Sequence, residues 1–335
     1  MKVIQVGAGK MGQHWLNVLS GSDAVDLVGI VEPVPALRQA AAERVNLDLS
    51  RAFDTLDDAI AHLEFDAAVI VTPPPTHRPI AEQLMRAGKH VLTEKPLATS
   101  LDDARAMIDV AAETGRVLMV AQNYRHFEHI ASVRNLVASG EMGELRSVSI
   151  RFDKDARTMF GEGDFRYSMP NVLLVDMSIH HFDMLRAITG RNAERVYAQS
   201  WHVPDGNYTG DAAATVLITL EGGIPVTYRG NWATDAPETT WNGDWEIVGE
   251  RGRLAWAADR IGDSTITWLP YGRAPESIPA AVLPAAGQHG LLAGFVDAVV
   301  TGREPDTSAA DNINSIAIVF AAVESAATGT AVILD

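Results

Sequence analysis

The stretch MKVIQVGAGKMG, residues 1–12, indicates how the first third of the chain folds. An apolar run over residues 3–6 leads into three glycines spaced as G-x-G-x-x-G, and a helical pattern continues to Leu19. In such a loop the first glycine permits a tight turn, the second lets the backbone approach a pyrophosphate, and the third lets the helix pack on the strand. The N–H groups at the start of the helix then attract the pyrophosphate. The residues predicted to contact the dinucleotide cofactor that carries this pyrophosphate are Gly7, Gly9, Lys10, Met11 and Gly12.

A second apolar run, residues 25–31, ends on an acid, Glu32, which lies 20 residues after Gly12. A carboxylate at this place is expected to accept hydrogen bonds from the adenosine ribose hydroxyls. Because a carboxylate repels a 2′-phosphate, Glu32 favours NAD over NADP, which remains possible. Arg38 would partly reverse this preference if it folded back towards Glu32, but we expect it to lie on the surface of the next helix.

Apolar runs and helical patterns alternate along the whole first third of the chain. Residues 67–71 form another such run, which Thr72 and three prolines end, and a further strand ends at Thr93. Continuous apolar strands that alternate with helices are typical of a parallel sheet covered on both faces. We therefore predict a Rossmann domain that binds NAD(P) over residues 1–122.

The pattern changes in the second part of the chain, residues 123–335. Residues 144–154 alternate in the manner of a half-buried strand, and a hairpin is expected to turn near Gly222. Six of the seven tryptophans lie between Trp201 and Trp268. Aromatic residues at strand spacing usually pack a core, although a face rich in Trp could equally be buried against a second subunit. We predict an α/β domain with a large, mostly antiparallel sheet.

The stretch LLVDMSIHHFDMLRAITG, residues 173–190, carries a second group of polar residues. In a helix, Asp176, His180 and Asp183 would form one row beside an apolar row. Three interpretations are open: a buried helix whose polar groups bind their neighbours, a metal site, or a catalytic histidine beside a nicotinamide. Because His180 and His181 would point about 100° apart on a helix, they cannot readily share one ion, and we predict no metal site.

Composition excludes several classes of protein. The formal net charge is -16, with 27 Lys+Arg against 43 Asp+Glu, so nucleic acid and anionic membranes are poor partners. The chain has no cysteine, which excludes disulfides, thiolate zinc sites and cysteine nucleophiles. It begins directly with a strand pattern and has no apolar stretch near the roughly 20 residues that span a bilayer. We expect a cytoplasmic protein.

Four stretches, taken in order, resemble one family of oxidoreductases. They are VGAGKMG at residues 6–12, VIVTPPPTHRPIAEQLMRAGKHVLTEKPLA at 69–98, QNYR at 122–125 and VDMSIHHFDMLRAITG at 175–190. The chain is similar, over essentially its whole length, to the glucose–fructose oxidoreductase, inositol dehydrogenase and rhizopine-catabolism (Gfo/Idh/MocA) family. The Glu-Lys-Pro motif and the D-x-x-x-H helix carry most of this resemblance.

The resemblance implies an NAD(P)-dependent dehydrogenase that acts on a secondary alcohol of a sugar, sugar acid or cyclitol. It also implies a homodimer or homotetramer formed through the sheet of the second domain. Two alternatives stay open: redox-neutral glycosidic cleavage or elimination with tightly bound NAD, and a dinucleotide-sensing regulator. Relatives of the regulatory kind tend to lose the catalytic lysine, which is present here.

The resemblance also assigns roles to individual residues. Lys95, in the Glu-Lys-Pro motif, would lie beside the nicotinamide and stabilise the developing alkoxide. His180 would take the proton of the substrate hydroxyl, with Asp176 orienting it, although Lys95 is also a candidate proton acceptor. Further residues that the resemblance implies near the cofactor are Thr72, Pro73, Glu94 and Asn123.

Expected roles also apply to four other residues, Arg125, Arg157, Arg166 and His77. Arg125 is expected near the substrate pocket by resemblance alone. Many family members carry a glycine-rich run before the D-x-x-x-H helix, where this chain has Pro170-Asn171. In the preceding loop, Arg157 and Arg166 would either meet an acidic or phosphorylated substituent or form local ion pairs. His77 is expected to cap the helix that follows it or, as the second candidate role, to border the nicotinamide.

Overall fold

The apolar runs of the first third are strands of one parallel sheet, as predicted. The structure is a computed structural model that describes residues 1–204, 207–257 and 265–334. The strands of this sheet are β1 (Lys2–Val6), β2 (Asp26–Val31), β3 (Ala52–Phe53), β4 (Ala67–Ile70), β5 (His90–Thr93) and β6 (Leu118–Val120). Their spatial order is β3-β2-β1-β4-β5-β6, and every neighbouring pair is parallel.

Five helices follow the first five strands of this sheet. They are α1 (Lys10–Ser20), α2 (Pro35–Arg44), α3 (Leu56–His62), α4 (His77–Arg86) and α5 (Leu101–Thr114). The termini of α5 illustrate the local signals: Ser100 Oγ accepts a hydrogen bond from Asp103 N, and Gly115 ends the helix in a left-handed conformation. Both are common capping arrangements that satisfy backbone groups at helix ends.

The second sheet has nine strands. They are β7 (Leu145–Asp153), β8 (Ala193–Trp201), β9 (Ala213–Leu220), β10 (Ile224–Asn231), β11 (Asp244–Gly249), β12 (Gly252–Ala257), β13 (Thr265–Pro270), β14 (Glu276–Ile278) and β15 (Val332–Ile333). Their order is β14-β13-β12-β11-β7-β10-β9-β8-β15, and of these pairs β10 and β7 alone run parallel within the described chain. The predicted mostly antiparallel sheet is confirmed.

Three tryptophans of the second sheet lie on its buried face, whereas Trp201 at the end of β8 is 40% exposed. Trp245 and Trp256 are paired across β11 and β12, and their rings stack with centroids 5.1 Å apart. Trp268 on β13 is fully buried. The core interpretation of these aromatic residues is therefore correct, and the idea of a Trp-rich face left for a second subunit is wrong for them. On the other face, exposed positions carry hydroxylated residues such as Ser149 and Thr227 together with charged ones such as Arg229 and Arg253.

The helical stretch 173–190 is not one regular α-helix. Residues Leu173–Ser178 form a π-helical segment, and α7 (Ile179–Thr189) continues from it until Gly190 ends the helix. A π-helix bonds i to i+5, so the rows predicted from a 3.6-residue period are shifted over its first part. Before this stretch lies α6 (Glu128–Ala138).

The C-terminal part of the chain contributes to both units of the structure. It forms α8 (Gly287–Thr301) and α9 (Ala309–Thr328). The first compact unit is Met1–Asn123 with Ala285–Ile313, and the second comprises the described residues of Tyr124–Pro284 with those from Asn314 onwards. Leu291, Leu292 and Phe295 of α8 pack in the apolar core of the first unit, with Val3 and Trp15. The predicted continuous second domain, residues 123–335, is corrected accordingly.

No helix in the described ranges is both long enough and apolar enough to cross a bilayer.

Two histidines of the second unit, His129 and His181, are buried. His181 Nε2 donates to Trp241 O at 3.0 Å, which leaves Nδ1 to accept from Tyr228 Oη at 3.2 Å. His129 Nε2 accepts from Asn242 Nδ2 at 2.8 Å. Both rings are thus held neutral, and burial lowers the pKa of each to about 4.

We predict that acid destabilises the protein through these histidines. The unfolded chain protonates both rings near the ordinary pKa of 6.5, whereas the folded chain resists protonation until about 4. The free energy of unfolding should therefore fall as the pH drops through this window, by about 3 kcal/mol for each histidine. Urea unfolding at several pH values measures it. His181→Gln should reduce the slope against pH, and an unchanged slope would contradict the prediction.

Candidate cofactor and substrate sites

The glycine loop has one glycine that the protein's own packing does not require. Gly7 has a φ of +97°, and a Cβ on it would lie 2.5 Å from Val71 O. A Cβ on Gly12 would lie 2.6 Å from Gly7 O, whereas a Cβ on Gly9 would meet no atom within 4 Å. Gly9 also precedes α1 without a side-chain cap. Open space at an uncapped helix N-terminus fits a bound pyrophosphate, and Lys10 and Met11 lie exposed in the first turn.

Two polar side chains hold the glycine loop in place. Gln5, buried in β1, donates from Nε2 to Gly7 O at 2.8 Å and to Gly12 O at 2.9 Å. Glu32 is also buried, and its carboxylate accepts from Ala8 N at 2.7 Å. Sequence reasoning did not identify Gln5, because a single amide in an apolar strand has no recognisable spacing.

The expectation for Arg38 is corrected by the structure. Its Nη1 donates to Glu32 O at 2.7 Å and lies 3.4 Å from Pro33 O, so the guanidinium folds back over the end of β2. The Glu32 carboxylate meanwhile accepts from Val34 N at 3.0 Å. The Arg38 guanidinium therefore contacts the main-chain oxygen of Glu32, the residue predicted to bind the ribose.

Lys95 follows β5 at the carboxyl edge of the first sheet. The preceding acid, Glu94, accepts from Trp15 Nε1 at 2.7 Å through one oxygen and from Lys95 N at 3.1 Å through the other. Glu94 thus fixes the backbone of Lys95 to α1. The predicted contact of Glu94 with the cofactor stays a prediction.

His77 does not have the first of its expected roles, and its place beside the nicotinamide stays a prediction. Its ring is fully buried, with Nδ1 2.9 Å from Pro96 O and Nε2 2.9 Å from Thr72 O. Residue Thr76 precedes α4 and makes no side-chain cap, so the prediction that His77 caps this helix is wrong. Burial lowers the pKa of His77. The ring instead connects the loop after β4 to the segment that carries Lys95.

In the second unit, His180 stacks on an aromatic residue that sequence reasoning missed. Its ring lies parallel to that of Tyr124, with centroids 4.4 Å apart and planes 13° from each other. Tyr124 belongs to a 3-10 turn, Asn123–His126, that follows the first sheet. The QNYR motif contained this tyrosine, but only the folded chain brings it to His180. Asn123, also in this turn, is buried.

The loop arginines form local ion pairs, the second of the two predicted alternatives. Arg157 contacts both Asp155 and Asp235 at 2.8 Å. Arg166 Nε donates to Asp176 Oδ2 at 2.7 Å, and its Nη1 lies 3.2 Å from Asp164 Oδ1. Asp176, which is predicted to orient His180, therefore has a cationic partner in Arg166.

Arg125 and Asp183 form a buried ion pair. Arg125 donates from Nε and Nη2 to the two carboxylate oxygens of Asp183, at 2.6 and 2.8 Å. Ser315 Oγ also donates to Asp183, at 2.7 Å. Asp183, predicted in one row with Asp176 and His180, thus binds Arg125, and the expected contact of Arg125 with substrate stays a prediction.

The residues considered for metal binding are arranged for other contacts. His181 uses both ring nitrogens on Trp241 and Tyr228. Within the described part of the chain, no three potential His, Asp or Glu ligands come together around one point.

Comparison with known proteins places the chain in a family. The sequence model of a family described as "Oxidoreductase family, NAD-binding Rossmann fold" matches residues 1–122. A second family model, described as "GFO/IDH/MocA C-terminal domain", matches residues 130–255. The chain belongs to the GFO/IDH/MocA oxidoreductase family. The suspected resemblance is thereby confirmed, and the first unit is an NAD-binding Rossmann fold of an oxidoreductase.

Individual relatives agree with this assignment. Inositol 2-dehydrogenase of Rhizobium meliloti is 28% identical over 330 residues, covering 96% of each chain. D-apiose dehydrogenase of Paraburkholderia graminis is 26% identical, covering 98% of this chain and 88% of the relative. Among solved structures, an oxidoreductase from Agrobacterium radiobacter in complex with NAD+, L-tartaric acid and magnesium superposes with a TM-score of 0.88 at 23% identity, covering 99% of this chain and 98% of that chain. This last likeness supports the fold.

We predict that Gly9→Ala separates cofactor binding from folding. Gly9 has a φ of −65°, which alanine can adopt, and its Cβ would contact no protein atom. The free energy of unfolding should change by less than about 0.5 kcal/mol, while the affinity for NAD falls at least about tenfold. Urea unfolding and fluorescence titration with NAD measure the two effects.

The matched control is Gly12→Ala, whose Cβ would lie 2.6 Å from Gly7 O and should therefore cost stability. If Gly9→Ala bound NAD as tightly as the wild type, the pyrophosphate would have to lie elsewhere.

Proposed function

We propose that this protein is an NAD-dependent dehydrogenase that acts on a secondary alcohol of a sugar, sugar acid or cyclitol. The observation that carries the proposal is the position of Lys95 at the carboxyl end of β5, with its backbone held by Glu94. Ligands of open parallel sheets bind at this edge. The names of the relatives, inositol 2-dehydrogenase and D-apiose dehydrogenase, support the class of substrate. No observation favours redox-neutral cleavage or a regulatory role.

The first unit supplies the groups that would hold the cofactor. The N-terminus of α1 and residues 7–12 would bind the pyrophosphate, and Glu32 the adenosine ribose. Flanking positions nearer the nicotinamide are Thr72, Pro73, Glu94 and Asn123. When bound, NAD supplies a hydride acceptor. The geometry of His77 suggests that it supports the backbone of Thr72 and Pro96 from inside the protein.

NAD is the proposed working cofactor, with NADP as a weaker one. The carboxylate of Glu32 is buried at the end of β2, where it would repel a 2′-phosphate. Arg38 donates to the main-chain oxygen of Glu32. Its guanidinium would reduce this repulsion, because a guanidinium attracts phosphate. We therefore expect a preference for NAD of moderate size.

The chemical roles follow from the types of side chain. His180 is the proposed general base, because an imidazole accepts a proton near neutral pH and the stacked Tyr124 restrains its ring. Asp176, which also accepts from Arg166, is proposed to orient and stabilise it. Lys95 is proposed to stabilise the alkoxide that develops as the hydroxyl loses its proton. In the reverse direction the same lysine polarises the carbonyl.

Lys95→Ala should remove catalysis without removing the cofactor. Loss of the alkoxide-stabilising charge is expected to lower kcat at least about a hundredfold while the affinity for NAD stays within about threefold. NADH formation is measured on cyclitols, hexoses, uronates and pentoses. Lys89→Ala is the matched control, because Lys89 belongs to the same unit and its Nζ donates to Phe65 O.

Two outcomes would contradict the dehydrogenase proposal. Wild-type protein that binds NAD but reduces it with no member of the panel would overturn it. Equal activity of Lys95→Ala and Lys89→Ala would remove the catalytic role of Lys95.

We further propose that the outer face of the nine-stranded sheet binds a second copy of the chain. Leu217 on β9 is 48% exposed, and the neighbouring outward positions include Ser149 and Thr227, which contact each other across β7 and β10. This face also carries charged residues such as Arg229 and Arg253, and interfaces between subunits commonly combine apolar and polar residues. Either a homodimer or a homotetramer would bury this face of the sheet.

Leu217→Arg should weaken this assembly. A charged side chain at the centre of the proposed interface would be desolvated without a partner. Light scattering after size-exclusion chromatography should show a smaller mass for the variant than for the wild type. Val300→Arg, on the exposed surface of α8, is the control and should leave the mass unchanged. A monomeric wild type would refute the proposed assembly.

A further inference from the structure

Gln5 is a fully buried amide in strand β1, whose other buried residues are apolar. Both hydrogens of its side-chain nitrogen are used, since Nε2 donates to Gly7 O at 2.8 Å and to Gly12 O at 2.9 Å. Its Oε1 is buried and accepts from no donor in the described chain. A buried acceptor without a donor lowers stability, so burial alone would favour an apolar residue here. The contribution of the amide is therefore its two hydrogen bonds to the glycine loop.

The peptide unit between Gly7 and Ala8 is held from both ends. Its carbonyl oxygen accepts from Gln5 Nε2, and its N–H donates to Glu32 Oε2 at 2.7 Å. The C=O and N–H groups of a trans peptide point in opposite directions. Gln5 and Glu32 therefore fix the orientation of this peptide plane from opposite sides.

A second glutamine holds the next carbonyls of the loop. Gln13, in α1, donates from Nε2 to Ala8 O at 2.9 Å, and its backbone N donates to Gly9 O at 2.9 Å. The carbonyls of residues 7, 8 and 9 thus all accept hydrogen bonds from within the protein. By the same trans geometry, the N–H groups of these peptides point away from the donors that hold their carbonyls. The loop has open space at Gly9, where an added Cβ would meet no atom within 4 Å.

We propose that Gln5 and Gln13 are positioning residues for the pyrophosphate of the cofactor. The inference rests on the proposed function, because it takes the glycine loop to bind NAD. A pyrophosphate is attracted by N–H groups and repelled by carbonyl oxygens, so a loop whose carbonyls are held by the protein is ready for the anion before it binds. Neither glutamine needs to contact the cofactor. Without them, the loop would have to be ordered on binding, and NAD would bind more weakly.

The test measures how tightly variants of the two glutamines bind ligands that contain a pyrophosphate. Gln5→Met keeps the length of the side chain and removes both hydrogen-bond donors. The dissociation constants of NAD and of ADP-ribose, from fluorescence titration, should each rise at least about tenfold. ADP-ribose has the same pyrophosphate without the nicotinamide, so both ligands should lose affinity by the same factor. Gln13→Met removes one partly buried donor and should raise both constants about threefold.

The matched control is Thr307→Val. Thr307 is fully buried in the same unit, and its Oγ1 donates to Val120 O at 2.7 Å, outside the glycine loop. Valine has nearly the same shape without the hydroxyl, so this variant also loses a buried hydrogen bond to a backbone carbonyl. Urea unfolding shows how much stability each variant loses. Thr307→Val should lose stability and still bind both ligands as tightly as the wild type.

Steady-state kinetics distinguish a positioning role from a general loss of structure. With a substrate from the panel of cyclitols, hexoses, uronates and pentoses, Gln5→Met should raise the KM for NAD at least about tenfold. Its kcat at saturating NAD should stay within about threefold of the wild type, because the bound cofactor orders the loop. A variant whose fold is loosened in general would lose kcat as well.

The outcomes separate this inference from the proposed function. Unchanged affinity of Gln5→Met for NAD or ADP-ribose, or an equal loss in Thr307→Val, would overturn the positioning role and leave the dehydrogenase proposal standing. Wild-type protein that binds NAD but oxidises no member of the panel would refute the dehydrogenase, while weaker binding by Gln5→Met would still support the positioning role. Wild-type protein that binds neither NAD nor ADP-ribose would overturn both.

Discussion

Parallel pairing of β1, β4 and β5 is the constraint on which the candidate cofactor site depends. Parallel strands bring their carboxyl ends to one edge of a sheet, so the segments that follow these three strands must lie side by side. The approach is close enough that Gly7 has no room for a side chain beside Val71 O. His77 then bridges Thr72 O and Pro96 O, and the Lys95 segment is held at this edge.

The second unit is organised by ion pairs in and beside its core. Arg125 and Asp183 are both almost completely buried, and two hydrogen bonds join the guanidinium to the carboxylate, so each charge is compensated by the other. Breaking such a pair costs about 3–5 kcal/mol because the remaining charge stays buried. Arg166 forms a second, less buried group of charges in this unit, with Asp164 and Asp176.

Much of the fold was predictable from residue spacing. The glycine loop, the parallel sheet and the antiparallel sheet each follow from periodicity and turn residues, which are local properties of the chain. The π-helical segment Leu173–Ser178 was not predictable in this way, because its sequence also fits a regular helix. Nor was the return of α8 to the first unit, since an apolar helix face does not specify which core it joins.

The sequence by itself determined the family, the class of cofactor and the residue types available for catalysis, because motifs record short-range spacing. Only the tertiary structure decided which partner each polar side chain has. Trp15 binds Glu94 across 79 residues, Arg125 binds Asp183 across 58, and Tyr124 stacks on His180. The physical reason is that a hydrogen bond or ion pair depends on distance in space, and folding brings together groups whose separation along the chain carries no signal.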